Sequence, residues 1–287
     1  MGATPTDQIV QILDGPVGTE LLRRGVPTPL PGWSAHALES QPDVVEAIHR
    51  DYRAAGAMIH TTNTFRTRAR VFPRTWEQLG RVAVDAARAA AAPGQFVAGS
   101  LAPLEDCYRP DLSPAHSDPD ACRQEHADLA RVLADAGCDL LLCETFPLVH
   151  EGLLAAEAAL ATGLETWVAF TPGPEGDLLT PAEVAEGARA ALSLGVAGVL
   201  VNCVPATAAL AHVRALADVL ATSRTRWGCY ANAGHADEQM GWSSAPGIPD
   251  RYADLARTWV DAGATIIGGC CGTGPEHVAA LARRFGR

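Results

Sequence analysis

The sequence predicts an α/β fold, namely a single (β/α)8 TIM barrel that occupies residues 1–287 as one domain. Short apolar runs rich in β-branched residues alternate with amphipathic helical stretches, and eight such pairs follow one another along the chain. The length of 287 residues and the hydrophobic content of 48% suit one large domain with a sizeable core. No shift in composition and no linker divides the chain, so we expect a single domain throughout.

The eight strands are expected where short apolar runs end in glycine, polar or cysteine residues. They are residues 9–13, 57–61, 95–100, 139–143, 166–171, 198–202, 226–230 and 265–269. The helices are expected at residues 42–55, 77–92, 119–136, 148–161, 181–194, 206–221, 250–262 and 275–284. Several begin with a proline in the first turn, where its missing N–H group does no harm. Three end in steps that suit a glycine cap, at Gly56, Gly137 and Gly263.

Three longer irregular segments, residues 26–41, 102–117 and 231–249, each lie between a strand and the helix that follows it. In a parallel barrel such loops all lie at the C-terminal ends of the strands, the face on which active sites are built. We therefore expect the functional site at this face. The alternative is that these segments are only surface loops.

The acidic balance of the chain argues against several classes of partner. The formal net charge is −11, the isoelectric point is near 5.2, and no cluster of basic residues occurs. Nucleic acids and anionic membranes are bound through basic patches, so neither is an expected partner. No signal peptide and no apolar run of about 18 residues is found, which predicts a cytoplasmic protein without a membrane span. Eight cysteines are too sparse at this length for a disulfide scaffold.

The most informative motif is Ile266-Ile267-Gly268-Gly269-Cys270-Cys271-Gly272-Thr273, an apolar strand that ends in glycines and two adjacent cysteines. Adjacent cysteines are poorly placed to bridge each other, so a disulfide between them is disfavoured. Two thiols at the mouth of a barrel indicate a site for a soft metal ion, and two small buried side chains are the alternative. Cys203 follows the sixth predicted strand and brings a third thiol. Three thiolates with a vacant fourth position are typical of a catalytic zinc site.

Several motifs together make the sequence similar to the homocysteine S-methyltransferase family over nearly the whole chain. They are Leu13-Asp14-Gly15, Gly18-Thr19-Glu20-Leu21, Trp33-Ser34-Ala35, Thr61-Thr62-Asn63-Thr64-Phe65, Cys143-Glu144-Thr145-Phe146, Val201-Asn202-Cys203 and Gly268-Gly269-Cys270-Cys271-Gly272-Thr273. The resemblance implies one Zn2+ on Cys203, Cys270 and Cys271, with the sulfur of homocysteine as the fourth ligand. It also implies a methyl donor that is a sulfonium, S-methylmethionine or S-adenosylmethionine, and methionine as the product.

The resemblance further assigns residues to the amino acid end of homocysteine. Asp14 and Glu144 are expected to bind its ammonium group, and the backbone N–H near Gly15 is expected to receive its carboxylate. Asn63 is expected to orient donor or substrate through its amide. No catalytic residue is required beyond the metal-activated substrate thiol. The alternatives are that Asp14 caps a turn and that Glu144 is paired with an arginine.

The identity of the methyl donor is left open by two departures from the family pattern. His235 stands where the family usually has a glutamate after the seventh strand, and residues 104–110 differ from the glycine-rich loop of the methylmethionine enzymes. A sulfonium donor is a cation, so aromatic side chains of the face loops are candidates for cation–π contact with it. These are Trp33, Phe65, Phe146 and Trp242, which would otherwise simply pack under a loop.

Other functions are compatible with the same residues. A methyltransferase of this fold can act on another thiol or a selenol, or use a different donor. A zinc hydrolase is disfavoured, because such enzymes usually combine histidine and carboxylate ligands with a general base. A barrel that stores zinc or senses redox state through its cysteines needs no substrate. Small molecules are the expected partners in the enzyme hypotheses, and the oligomeric state is not predicted.

Overall fold

A computed structural model describes residues 9–233 and 248–286 of the chain. Within these ranges eight parallel strands form a barrel with helices around it, so the predicted (β/α)8 TIM barrel is confirmed. The strands are β1 (Gln11–Ile12), β2 (Ile59–Thr61), β3 (Phe96–Leu101), β4 (Leu140–Phe146), β5 (Glu165–Phe170), β6 (Gly198–Pro205), β7 (Arg226–Asn232) and β8 (Ile266–Gly269). They pair in the order β1-β8-β7-β6-β5-β4-β3-β2. The circle closes through a parallel bridge between Leu13 and Ile59.

The helices surround the strands. They are α1 (Val17–Arg23), α2 (His36–Ser40), α3 (Pro42–Ala55), α4 (Trp76–Ala90), α5 (Pro119–Asp135), α6 (Val149–Leu160), α7 (Pro181–Leu194), α8 (Ala209–Leu220), α9 (Ile248–Asp261) and α10 (Pro275–Phe285). The sequence analysis did not predict α1 and α2, because seven and five residues are too short to show a helical period. Three short 3-10 turns lie in the loops, at Trp33–Ala35, Pro110–Leu112 and Pro114–His116.

The predicted helix ends are confirmed by the backbone. The glycines at the three predicted caps have positive φ, 104° at Gly56, 94° at Gly137 and 107° at Gly263. This left-handed conformation is open to glycine and ends a helix without a steric cost. Each of these turns leads directly into the next strand, so each sets where that strand enters the barrel.

The core has two layers. The interior of the barrel is filled by a small set of inward-facing side chains: Leu13, Ile59, Ala98, Leu140, Leu142, Trp167, Ala169, Leu200, Cys203, Tyr230, Ile266 and Cys270. A larger cluster lies between the outer surface of the strands and the helices. The interior of the barrel is therefore packed with side chains and is not an open pore. In the described ranges no helix is long and apolar enough to cross a membrane.

Candidate active site

A cavity of about 430 Å³ lies at the C-terminal mouth of the barrel. The seven residues predicted to bind the metal or homocysteine all line it: Asp14, Gly15, Asn63, Glu144, Cys203, Cys270 and Cys271. Their chain positions are spread over more than 250 residues, and they meet because they lie at or just after the C-terminal ends of five strands, β1, β2, β4, β6 and β8. The parallel barrel thus gathers on one face the groups that the motifs carry.

Three cysteine sulfur atoms form the floor of this cavity. Cys203 lies near the end of β6, and Cys270 and Cys271 follow β8. Their three Sγ atoms all lie within 4.8 Å of one another. Cys203 and Cys270 are bridged in the structure, with their Cα atoms 5.6 Å apart, a pairing that the sequence analysis did not propose. Cys271 is a free thiol, so the two adjacent cysteines are not joined to each other. The bridged pair and a metal-bound trio of thiolates are alternative states of the same three residues.

The cysteine cluster has the composition of an open site for a soft metal ion. Within the described ranges no fourth histidine, cysteine, aspartate or glutamate joins the group of three. Burial raises the pKa of the Cys271 thiol to about 11, and a bound cation is what would favour its thiolate. Tyr108 packs against the same cluster as Cys271, and its hydroxyl lowers the pKa of this thiol in part. Three sulfur ligands that face a cavity fit a metal ion with a coordination position left for substrate.

Unusual backbone geometry occurs at several residues that line the cavity. Three non-glycine residues that line the cavity have positive φ: Trp33 at 46°, Thr145 at 65° and Cys203 at 50°. Strand pairing also shifts register after Cys143 and after Asn202, the residues that precede Glu144 and Cys203. Such bulges turn a strand and redirect the next side chain. Backbone strain of this kind is concentrated at functional sites, because the surrounding structure has to hold it in place.

Glu144 is buried at the centre of the barrel mouth. The hydroxyl groups of Ser100 and Tyr230 donate hydrogen bonds to its two carboxylate oxygens, the latter at 3.1 Å. Burial raises the pKa of Glu144 to about 7, although these hydrogen bonds lower it, and the nearby charge of Asp14 raises it further. The alternative of a pairing with arginine is wrong, because no arginine of the described chain lies within 4.0 Å of this carboxylate. A bound cation would therefore stabilise the ionised form of Glu144.

Asp14, 3% exposed, is the second buried carboxylate of the cavity lining and lies just after β1. Its Oδ2 accepts a hydrogen bond of 2.9 Å from the backbone N–H of Thr61, and the Nδ1 atom of His49 lies 3.6 Å from the same oxygen. The carboxylate thus ties two strands together instead of capping its own turn. Next to it, a Cβ at Gly15 would lie 2.6 Å from the hydroxyl oxygen of Tyr52, so no larger residue fits at this position of the cavity wall.

Asn63 has a structural contact besides its place in the cavity wall. Its Nδ2 donates a hydrogen bond of 2.9 Å to the backbone carbonyl of Ser34, in the segment that carries Trp33. The role of its amide toward a substrate stays a prediction. Part of that amide is already used to hold the loop after α1 against the barrel.

We expect the substitution Asn63→Ala to destabilise the protein by about 1–3 kcal/mol, because it leaves the buried Ser34 carbonyl without its donor. Urea unfolding measures this loss. Ser40→Ala is the matched control, because it removes an exposed hydrogen bond, from the Ser40 hydroxyl to the His36 carbonyl, and should change stability by less than about 0.5 kcal/mol. Equal effects of the two substitutions would contradict the anchoring role of Asn63.

The aromatic candidates divide into two groups. Trp33 and Phe65 line the cavity and pack edge to face, with ring centroids 6.0 Å apart. The suggestion that Phe146 contacts a donor is wrong, because its ring is fully buried and packs against His126 on the outer side of the barrel wall. Trp242 and His235 lie outside the described residues. Cation–π contact from Trp33 and Phe65 stays a prediction.

Several side chains of the site were not predicted from the sequence. Ser100 and Tyr230 hold Glu144, and Tyr108 reaches Cys271 from the loop after β3. Arg66, in the loop after β2, also lines the cavity. Ser100 and Tyr230 occur at predicted strand ends, which is a usable signal. Tyr108 and Arg66 lie within loops, where no periodic pattern indicates which way a side chain points.

The barrel and its mouth together define a class: a TIM barrel with three cysteine sulfur atoms, in an arrangement that fits a metal ion, beside two buried carboxylates. The sequence profile of the homocysteine S-methyltransferase family matches residues 11–285, so the chain belongs to that family, as the motifs predicted. The homocysteine S-methyltransferase of Escherichia coli is 31% identical over 96% of both chains. Homocysteine S-methyltransferase YbgG of Bacillus subtilis is 28% identical over 94% of this chain and 93% of its own.

A solved structure agrees with these relatives. The homocysteine methyltransferase MmuM of E. coli, in its metallated form, superposes with a TM-score of 0.80 at 27% identity, covering 97% of both chains. The predicted enzyme class is thereby confirmed.

Proposed function

We propose that the protein transfers a methyl group from a sulfonium amino acid to the thiol of homocysteine, giving methionine, with Zn2+ held by Cys203, Cys270 and Cys271. The supporting observation is the meeting of three sulfur ligands with the two carboxylates of Asp14 and Glu144 in one cavity. Zinc is the expected metal, because a three-thiolate site with an open position suits it and because it has no redox chemistry that would oxidise a thiol.

Zinc, when bound, supplies a deprotonated substrate thiol at neutral pH, where a free thiol with a pKa near 8.5 is mostly protonated. The methyl transfer then forms a carbon–sulfur bond to homocysteine and breaks the carbon–sulfur bond of the sulfonium. The electron pair of the broken bond stays on the donor sulfur, which leaves as a neutral thioether. No proton moves in this step, so the cavity needs no general base.

The protein side chains have the task of placing homocysteine. Asp14 and Glu144 bind its ammonium group, and the backbone N–H near Gly15, which lines the cavity, receives its carboxylate. The hydroxyl groups of Ser100 and Tyr230 fix the carboxylate of Glu144 in direction. Positioning of this kind matters, because a misplacement of about 1 Å can lower a rate by about 100-fold.

The acidic and aromatic side chains of the cavity walls support a sulfonium as the methyl donor. Among the residues that the structure describes, the walls carry three carboxylates, from Asp14, Asp106 and Glu144, together with the rings of Trp33 and Phe65. Negative charge and aromatic faces both favour a cation. S-methylmethionine and S-adenosylmethionine both meet this requirement, and both leave as thioethers.

The test is an assay of methionine formation from homocysteine with S-methylmethionine, S-adenosylmethionine and betaine, together with the zinc content of the purified chain. We expect about one zinc per chain and turnover with a sulfonium but not with betaine. Chelation should abolish the turnover, and added zinc should restore it. Turnover that survives chelation would contradict the role of zinc, whereas stoichiometric zinc without methyl transfer from any of the three would contradict the proposed reaction.

A further inference from the structure

We propose that Arg66 binds the α-carboxylate of the methyl donor, so that the enzyme recognises a sulfonium α-amino acid and not a methylated cation in general. This inference rests on the proposed function and makes its substrate class more specific. Both S-methylmethionine and S-adenosylmethionine carry the carboxylate, so Arg66 serves either donor. It discriminates against sulfonium compounds that lack this group.

The charges on the cavity wall point to this role. Of the described residues that line the cavity, Arg66 alone is an arginine or lysine, whereas Asp14, Asp106 and Glu144 are carboxylates. Two amino acid substrates bring two ammonium groups and two carboxylates. The three acidic side chains can bind the cationic groups of these ligands. Arg66 is then the cationic side chain that can bind a carboxylate.

The surroundings of Arg66 hold its guanidinium in place without neutralising it. One Nη atom donates a hydrogen bond of 3.1 Å to the backbone carbonyl of Glu105, and Cζ lies 5.8 Å from the centroid of the Phe65 ring. Within the ranges that the structure describes, no carboxylate lies within 4.0 Å of the guanidinium nitrogens. Arg70, four residues along, is by contrast paired with Glu105 and Glu125. Arg66 therefore has N–H groups to donate to an incoming anion.

The acceptor and the donor are expected at different depths in the cavity. Homocysteine has to reach the cysteines with its sulfur and Asp14 and Glu144 with its ammonium group. All of these residues except Cys271, which is partly exposed, are at most 9% exposed. This places it at the floor of the cavity. Transfer requires the donor sulfur, the methyl carbon and the acceptor sulfur to lie in line, so the donor occupies the outer side. Arg66 lies there, in the loop after β2, and its contact with Glu105 reaches the loop after β3.

Arginine suits the recognition of a carboxylate better than a point charge does. Its planar guanidinium can donate two parallel hydrogen bonds to the two carboxylate oxygens, which fixes the orientation of the ligand as well as its charge. With the carboxylate held at the outer wall, the sulfonium group of a donor is directed toward the cysteine cluster. Loss of this contact should therefore weaken donor binding without altering the acceptor site.

The experiment compares each sulfonium with its analogue that lacks the α-carboxylate. The pairs are S-adenosylmethionine with its decarboxylated form, and S-methylmethionine with (3-aminopropyl)dimethylsulfonium. They are assayed on the zinc-loaded chain as the wild type, Arg66→Gln and Arg66→Lys. Arg109→Gln is the matched control, because this exposed arginine pairs with Asp111 outside the cavity.

We expect the wild type to prefer the carboxylate-bearing donor by about 100-fold in kcat/KM, and Arg66→Gln to reduce this preference to a few-fold. In this variant the KM for the intact donor should rise by about 10- to 100-fold, while the KM for homocysteine stays within about threefold. Arg66→Lys should keep part of the preference, and Arg109→Gln all of it. Thermal unfolding checks that each variant is folded.

Three results would overturn the inference. The first is a carboxylate preference that is unchanged in Arg66→Gln. The second is an increase in the KM for homocysteine instead of that for the donor, which would assign Arg66 to the acceptor. The third is a wild-type chain that turns over no sulfonium at all. This last result would also overturn the proposed function, whereas the first two leave it standing.

Discussion

Replacing Cys203 by serine is expected to remove most of the bound zinc and to lower kcat/KM for methyl transfer by roughly 1,000-fold or more. Cys203 provides one of only three sulfur atoms in the cluster, and a serine hydroxyl is a hard ligand that does not ionise near neutral pH. The barrel should stay folded, because its two core layers do not depend on a metal ion. Zinc analysis, the methyl transfer assay and thermal unfolding give the three readouts.

The matched control is Cys138→Ser, at a buried thiol that precedes β4 and lies at the opposite end of the barrel. It should retain zinc and activity, with at most a modest loss of stability. All samples need a phosphine reductant, since Cys203 and Cys270 can bridge and an added thiol would compete with homocysteine as methyl acceptor. Stoichiometric zinc in reduced Cys203→Ser would refute the assignment of the metal ligands.

The repeating pattern of the sequence was sufficient to predict the barrel. Each of the eight predicted strands overlaps an observed one, because β-branched runs between glycine caps and amphipathic helices leave few alternatives. The largest differences are at β4 and β6, which continue to Phe146 and Pro205. Both extensions follow register shifts, and a shift depends on the neighbouring strand, which the local pattern of one strand does not encode.

The candidate site was predictable to the extent that its residues stand at strand ends. Glu144 and Cys203 lie at such ends, where the topology alone decides which groups meet. Arg66 and Tyr108 lie within loops, and their approach to the cavity depends on contacts such as that of Arg66 with the Glu105 carbonyl. The misassignment of Phe146 has a related cause. After a bulge, the alternation of inward and outward side chains no longer follows a simple count.

The substitution Glu144→Gln is expected to lower kcat/KM for homocysteine by about 100-fold at pH 8, because it replaces a buried carboxylate partner of the substrate ammonium by a neutral amide. The KM for the donor should change little.

Wild-type kcat/KM for homocysteine should also rise with pH through about 7, since only ionised Glu144 attracts the ammonium group. The ratio of wild type to variant across pH isolates this titration, because the thiol of homocysteine titrates equally in both assays. A ratio that is flat between pH 6 and 8 would contradict the role of Glu144.

The same carboxylate should make the ligand-free protein less stable at high pH. Its pKa is raised in the folded state from an ordinary value of 4.5 to about 7, so the folded protein binds more protons than the unfolded chain between these values. Stability therefore falls as pH rises from about 4.5 to 7, by an amount on the order of 3 kcal/mol. Glu144→Gln removes this cost, and the reduced, metal-free variant should unfold at higher urea than the wild type at pH 8 but not at pH 4.5. A gain in stability at the position where activity is lost would show that the buried charge is kept for substrate binding and not for the fold.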